Sequence, residues 1–332
     1  MPNFTELIDL AAERLGGAVI HANDDFFAPK ENLLKAAKPV FIEDKYTDRG
    51  KWMDGWETRR RRTPGFDWCI IRLSLPGILR GFLVDTAFFR GNYPERCSIE
   101  ACAAASDASA EQLQSPATQW AEVLAKSPLK GDSHNLFAVE HPQCVTHLRF
   151  KIYPDGGVAR LRAYGEVVPD WEKLRAAGEI DLVAVENGGL AIASSDMFFG
   201  SRNNLILPGR GVNMGDGWET KRRRGPGFDW CILRLGAPGV IRRIDVDTAH
   251  FKGNYPESCQ IEACDGTGRD EETLADLTGW AELLPRTKLQ PDHQHIYEKE
   301  VRDAGRVTHA RLNIFPDGGV SRLRLFGRLA AK

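Results

Sequence analysis

The chain has 332 residues, 42% of them hydrophobic and 27% charged, a soluble globular composition with room for two ordinary domains. Its formal net charge of -2 gives no global field to attract nucleic acid or an anionic membrane surface. No run of about 18 apolar residues is present to span a bilayer.

From the N-terminus, MPNFTELIDLAAERLGG carries acidic residues and lacks the basic start and apolar core of a secretory signal. A cytoplasmic location is therefore expected. Within it, TELIDLAAERLGG predicts a helix capped by Asn3 or Thr5 and ended by Gly16 and Gly17. Residues 35–53, KAAKPVFIEDKYTDRGKWM, are rich in Lys, Asp and Pro and read as a surface loop, with a lid as the other reading. Cys69 to Leu75 predicts a strand that stops at Pro76-Gly77, and VDTAFFRGNYPE from Val84 starts as a strand and finishes in a loop. CSIEAC predicts a strand with Cys97 and Cys102 on opposite faces. His147 to Tyr153 alternates, with Leu148, Phe150 and Ile152 on one face and His147, Arg149 and Lys151 on a polar one. Pro154-Asp155-Gly156-Gly157 predicts a turn, after which Val158 to Val167 resumes the alternation.

The same strings then return. DGWETRRRR from Asp54 is answered by DGWETKRRR from Asp216, and GFDWCIIR from Gly65 by GFDWCILR from Gly227. VDTAFFRGNYPE recurs from Val246 as VDTAHFKGNYPE, and YPDGGVARLR from Tyr153 as FPDGGVSRLR from Phe315. The spacing is 216 − 54 = 162 in each case, but Asp24 of NDDFF meets Asp196 of SDMFF at 196 − 24 = 172. The first copy thus holds about ten more residues, within 35–53. A period this long exceeds solenoid units, so each copy is expected to be a domain with its own core. The expected divisions are 1–168 for the first repeat with its N-terminal helix, 169–186 for a linker, and 187–332 for the second repeat. Short strands punctuated by Gly and Pro predict an all-β tandem of two jelly-roll or β-sandwich domains with short helices.

Seven cysteines, in no disulfide or zinc spacing, read as small core thiols. No HExxH, EF-hand, Walker, CxxC or GxSxG string occurs, so neither metal nor cofactor is called for. The four arginines of GWETRRRR suit nucleic acid poorly, because no recognition helix or aromatic-studded sheet accompanies them. Two readings remain open: one arginine captures a carboxylate through a fork of hydrogen bonds, or the run is solvated with one arginine pairing Glu57. Asn92 and Asn254 are turn residues that could also contact a ligand at a sandwich rim. His147 and His309, placed on the polar strand face, offer an imidazole near its ordinary pKa. His250 stands where the first copy has Phe88, so it lies outside any shared mechanism.

DGWETRRRR with GFDWCIIRL, VDTAFFRGNYPE, CSIEAC and YPDGGVARLRAYG resemble the allantoicase family, over the chain from about Asn3 to its end and including the duplication. The resemblance implies paired galactose-binding-like jelly rolls, a homo-oligomer, and hydrolysis of allantoate to ureidoglycolate and urea in allantoin and purine degradation. For that substrate Arg61 or Arg223 would hold the carboxylate, with Asn92 and Asn254 as further binding residues. Glu57 and Glu219 would serve as base or as the arginine's partner, and His147 and His309 as acid. The competing expectation is a non-catalytic small-ligand-binding β-sandwich, since fold does not fix function.

Overall fold

The computed structural model describes residues 3–330 and divides into two compact units, Met1–Val168 and Pro169–Lys332. The first unit contains β1 (Ile8–Asp9), β2 (Ala18–Ala22), β3 (Tyr46–Thr47), β4 (Gly50–Lys51), β5 (Trp56–Glu57), β6 (Asp67–Asp85) and β7 (Arg96–Cys102). Helix α1 (Ala110–Gln114) follows, then β8 (Ala121–Pro128), β9 (His134–Ala138), β10 (Cys144–Tyr153), β11 (Gly157–Val158) and β12 (Arg160–Val167). The second unit opens with α2 (Trp171–Ala177), β13 (Ile180–Asp181), β14 (Leu190–Ser194) and β15 (Trp218–Glu219). It continues with β16 (Asp229–Asp247), β17 (Ser258–Cys264), β18 (Ala281–Lys288), β19 (Gln294–Tyr297), β20 (Val307–Phe315), β21 (Gly319–Val320) and β22 (Arg322–Leu329).

In each unit one 19-residue strand organises the rest. The first half of β6 pairs with β2 and β10, and its second half with β12 and β9. The same strand therefore feeds both layers of a jelly-roll-like sandwich, and the second unit repeats the order with β16 at the centre. Inward residues of facing strands close the core: Cys69, Ile71, Phe82, Val84, Leu148, Phe150, Ile152, Leu161 and Ala163 are buried. Each large apolar side chain so enclosed contributes about 1.5–3 kcal/mol, which is the driving force for the two layers.

Four expectations are corrected. The strand from Cys69 does not stop at Pro76-Gly77, since β6 runs through both to Asp85. Residues 5–17 are not a helix: two short 3-10 turns flank β1, which pairs with Tyr164 and Gly165 of β12. Asn3 does cap the first turn. The apolar run that reads as a helical face is drawn instead into the sheet, where Leu10 is fully buried and its carbonyl accepts from both Ser74 N and Ser74 Oγ. Residues 169–186 are more than a linker, because Ile180–Asp181 pairs with β22 and Leu182 and Val183 are buried in the second unit. His147 and His309 do not sit on a polar, partly exposed face; both are buried.

Candidate functional site

β5 pairs with β11, Trp56 opposite Val158 and Glu57 opposite Gly157. Trp56 is fully buried, its ring 6.1 Å from Phe150, and its Nε1 donates to the Asp24 carbonyl at 2.8 Å. With Trp56 turned inward, strand alternation turns Glu57 outward onto the rim. There Glu57 Oε1 accepts from Asn92 Nδ2 at 2.7 Å. Burial pushes the Glu57 carboxyl above its usual range, while the hydrogen bond from Asn92 pulls the other way.

Asn92 is held by the two loop motifs acting together. Its carbonyl accepts from Gly157 N at 2.8 Å, and a Cβ on Gly156, whose φ is 136°, would lie 2.7 Å from that carbonyl oxygen. Only glycine lets the PDGG turn approach so closely. Phe88, at φ 69°, swings the preceding loop into place with its N–H donating to Asp132 Oδ1 at 2.8 Å. The strings GWET, GNYPE and PDGG, distant in sequence, thus converge on one carboxylate–amide pair.

The second unit rebuilds the arrangement. Trp218 Nε1 donates to the Asp196 carbonyl at 2.8 Å, and Asn254 Nδ2 donates to Glu219 Oε1. Met214 Sδ adds a contact 3.8 Å from Asn254 Nδ2. Gly318, at φ 134°, stands against the Asn254 carbonyl as Gly156 does against Asn92.

The arginines are largely committed elsewhere. Arg61 Nη1 pairs with the buried Asp67 at 2.6 Å, and Arg61 N donates to Asp155 Oδ2 at 2.8 Å. Arg223 pairs likewise with Asp229, and its N–H donates to Asp317 Oδ2 at 2.7 Å. These two side chains brace the loop between β5 and β6 and its counterpart. Arg59 Nε is held by Asp24 Oδ2 at 2.8 Å, while Arg60 and Arg62 are exposed. Glu57 is thus paired by Asn92, not by an arginine.

The histidines lie elsewhere in the sandwich. His147 faces Cys102 and Arg72 in the ladder, six residues before Tyr153, or about 20 Å along the strand from the PDGG turn. Its Nδ1 is 2.9 Å from Thr146 Oγ1, and Nε2 has no hydrogen-bond partner among the described residues. Burial, helped by Arg72, pushes this imidazole down. His309 repeats the Thr308 contact at 2.8 Å, with Glu271 3.7 Å from its Nε2. The structure therefore brings Glu57 to Asn92 and Glu219 to Asn254, and neither histidine to either pair.

Sequence reasoning missed a buried ion pair below the rim. Arg160 Nη2 meets Asp54 Oδ2 at 2.7 Å, with Arg160 2% exposed, and Arg322 meets Asp216 at 2.8 Å. The signal available was the recurrence of both residues at the 162 spacing. Among the described residues, no three His, Cys, Asp or Glu side chains converge as a metal-binding group, and no helix is long and apolar enough to cross a membrane.

Comparison with known proteins bears directly on this geometry. The family model described as "Allantoicase repeat" matches residues 8–168 and again 180–330. The chain is 50% identical over 330 residues to "Probable allantoicase 1" of Burkholderia mallei, covering 99% of this chain and 96% of that protein. It is 50% identical over 326 residues to "Probable allantoicase" of Photobacterium profundum, covering 98% and 97%. The crystal structure of allantoicase from Saccharomyces cerevisiae superposes with a TM-score of 0.81 at 40% identity, covering 96% of this chain and 92% of that one. With both repeats matched and the whole fold shared, the chain belongs to the allantoicase family.

Proposed function

We propose that this protein hydrolyses allantoate to ureidoglycolate and urea, with Glu57 and Asn92, and in the second unit Glu219 and Asn254, as the reacting pairs. Family membership along the full length carries the reaction. The observation that carries the residues is the repeated carboxylate–amide pair at the meeting point of three motifs.

Asn92 occupies one oxygen of Glu57, and Oε2 has no hydrogen-bond partner among the described residues. That oxygen takes a proton from the attacking water as the water oxygen bonds to the α-carbon of allantoate and the bond from that carbon to one ureido nitrogen breaks, its electron pair staying on the nitrogen. The same carboxyl passes the proton to that departing nitrogen, which leaves as urea. A carboxyl whose pKa is raised by burial suits both halves of this transfer better than one in bulk water. Arg61 and Arg223 act by fixing the loop that follows each glutamate. A cytoplasmic enzyme that assembles as a homo-oligomer completes the reading; seven free thiols agree with a reducing compartment.

The test is a urea-release assay on allantoate with the purified chain. Stoichiometric urea and ureidoglycolate are expected. Binding of allantoate without urea release would overturn the reading in favour of a non-catalytic binding protein.

A further inference from the structure

The two units differ in what touches the carboxylate–amide pair. In the second unit Asn254 Nδ2 donates to Glu219 Oε1, and Met214 Sδ lies 3.8 Å from the same nitrogen. An amide nitrogen has two N–H donors, so one amino group bridges the carboxylate and the thioether. Met214 opens a short 3-10 turn, Met214–Asp216, whose backbone is anchored. Gly217 N donates to the Met214 carbonyl at 3.0 Å, and Asp216 Oδ2 pairs with the buried Arg322 at 2.8 Å. The Met214 side chain is nonetheless 46% exposed, open to a small solute. Counting back from Asp54 and Asp216, the first unit has Trp52 at this place, an indole in place of the sulfur.

Other sulfur atoms are placed differently. The remaining methionines among the described residues are Met53, which is buried, and Met197, which is exposed and accepts from Arg202 Nη1 at 3.7 Å. Five of the seven thiols are buried. Burial also pushes the half-buried Cys144 and Cys264 up, away from the reactive thiolate form. Met214 thus combines exposure with contact to a residue of the candidate pair.

We propose that Met214 is an oxidative modification site, at which hydrogen peroxide silences the second unit and spares the first. The proposal rests on Glu219 being a reacting carboxylate. The sulfur lone pair bonds to one peroxide oxygen as the O–O bond breaks. The other oxygen leaves as hydroxide and takes the proton of the transferred oxygen, so sulfur is oxidised by two electrons and peroxide is reduced to water. A thioether is a weak acceptor, whereas the sulfoxide oxygen is polar and accepts strongly. Formed beside Asn254 Nδ2, it draws the amide away from Glu219 Oε1, and the carboxylate loses the donor that orients it.

The test is urea release from allantoate before and after hydrogen peroxide, removed by catalase, with peptide mass spectrometry reading the oxygen gained at Met214. In a Glu57→Gln background, where turnover reports on Glu219, kcat/KM is expected to fall about tenfold as Met214 is oxidised, the loss of one hydrogen bond. Methionine sulfoxide reductases A and B together should restore it, and dithiothreitol alone should not. Each variant is compared with its own untreated activity: Met214→Leu in that background should lose nothing to peroxide, while Met197→Leu should remain sensitive. The Glu219→Gln variant, working through the first unit, should also be insensitive. Oxidation of Met214 without loss of turnover, or a loss that persists in Met214→Leu or resists the reductases, overturns the proposal and leaves the reading of Glu219 standing. A Glu57→Gln variant that releases no urea before peroxide is added overturns the reading of Glu219, and the proposal with it.

Discussion

Replacing Arg160 by leucine removes a group that the first unit encloses almost completely. Its Nη2 pairs with Asp54 Oδ2 at 2.7 Å, Nη1 donates to the Asp54 and Ala159 carbonyls at 2.9 and 2.7 Å, and Nε donates to the Ala37 carbonyl at 3.0 Å. Arg160 holds the Asp54 carboxyl below its usual range against the cost of burial. Leucine would leave that carboxylate with only Val40 N at 3.1 Å and the half-exposed Lys35 at 3.6 Å. Breaking a buried pair in this way costs about 3–5 kcal/mol, a drop of roughly 10 °C in Tm for a unit this size. Thermal unfolding by calorimetry reads the change directly. The sign with pH is fixed: the pair's contribution is present above the unfolded aspartate's pKa and fades as pH falls through the lowered folded value. The wild-type advantage should therefore shrink in acid. A double Asp54→Leu, Arg160→Leu variant should recover part of the loss, since no charge is stranded. A loss below about 1 kcal/mol for Arg160→Leu would put the pair with exposed salt bridges and refute the reasoning.

Asn92→Leu removes the hydrogen bond that opposes the burial of Glu57, so the carboxyl pKa rises further. In a Glu219→Gln background, the acid limb of the kcat/KM profile should move to higher pH; a limb that stays or moves down would contradict the assignment. His147 is buried, with its pKa lowered, so the unfolded chain protonates first and stability falls as pH drops below about 6.5. His147→Gln should flatten the denaturant midpoint between pH 7.5 and 5.5 while urea release persists. An unchanged slope, or loss of turnover in a folded variant, would speak against a structural histidine.

The repeat, the strand-rich architecture and the Glu–Asn candidates were legible because they recur as whole strings at one spacing. Alternation located strands, as at Leu148, Phe150 and Ile152, but not their bounds: β6 runs on through Pro76 and Gly77, where a stop was expected. What escaped was whatever depends on which layer covers a face. His147 alternates with Arg149 and Lys151, which reads as polar; only the packing around Cys102 and Thr146 encloses the ring. Leu7, Leu10 and Ala11 have helical spacing, yet the open edge of β12 takes Ile8 and Asp9 as a strand, since pairing there also buries Leu10 and Ala11. The arginine run showed the same limit. Its sequence cannot say which guanidinium meets Asp67, a residue fixed by the start of β6.

The central claim is that the carboxylates held by Asn92 and Asn254 perform the hydrolysis. The most direct measurement is urea release from allantoate by the Glu57→Gln, Glu219→Gln double variant, alongside its Tm. Glutamine preserves the shape of the site but cannot accept the proton, so a loss of about 100-fold or more in kcat is expected with Tm near that of the wild type. Wild-type turnover by the folded double variant would contradict the account.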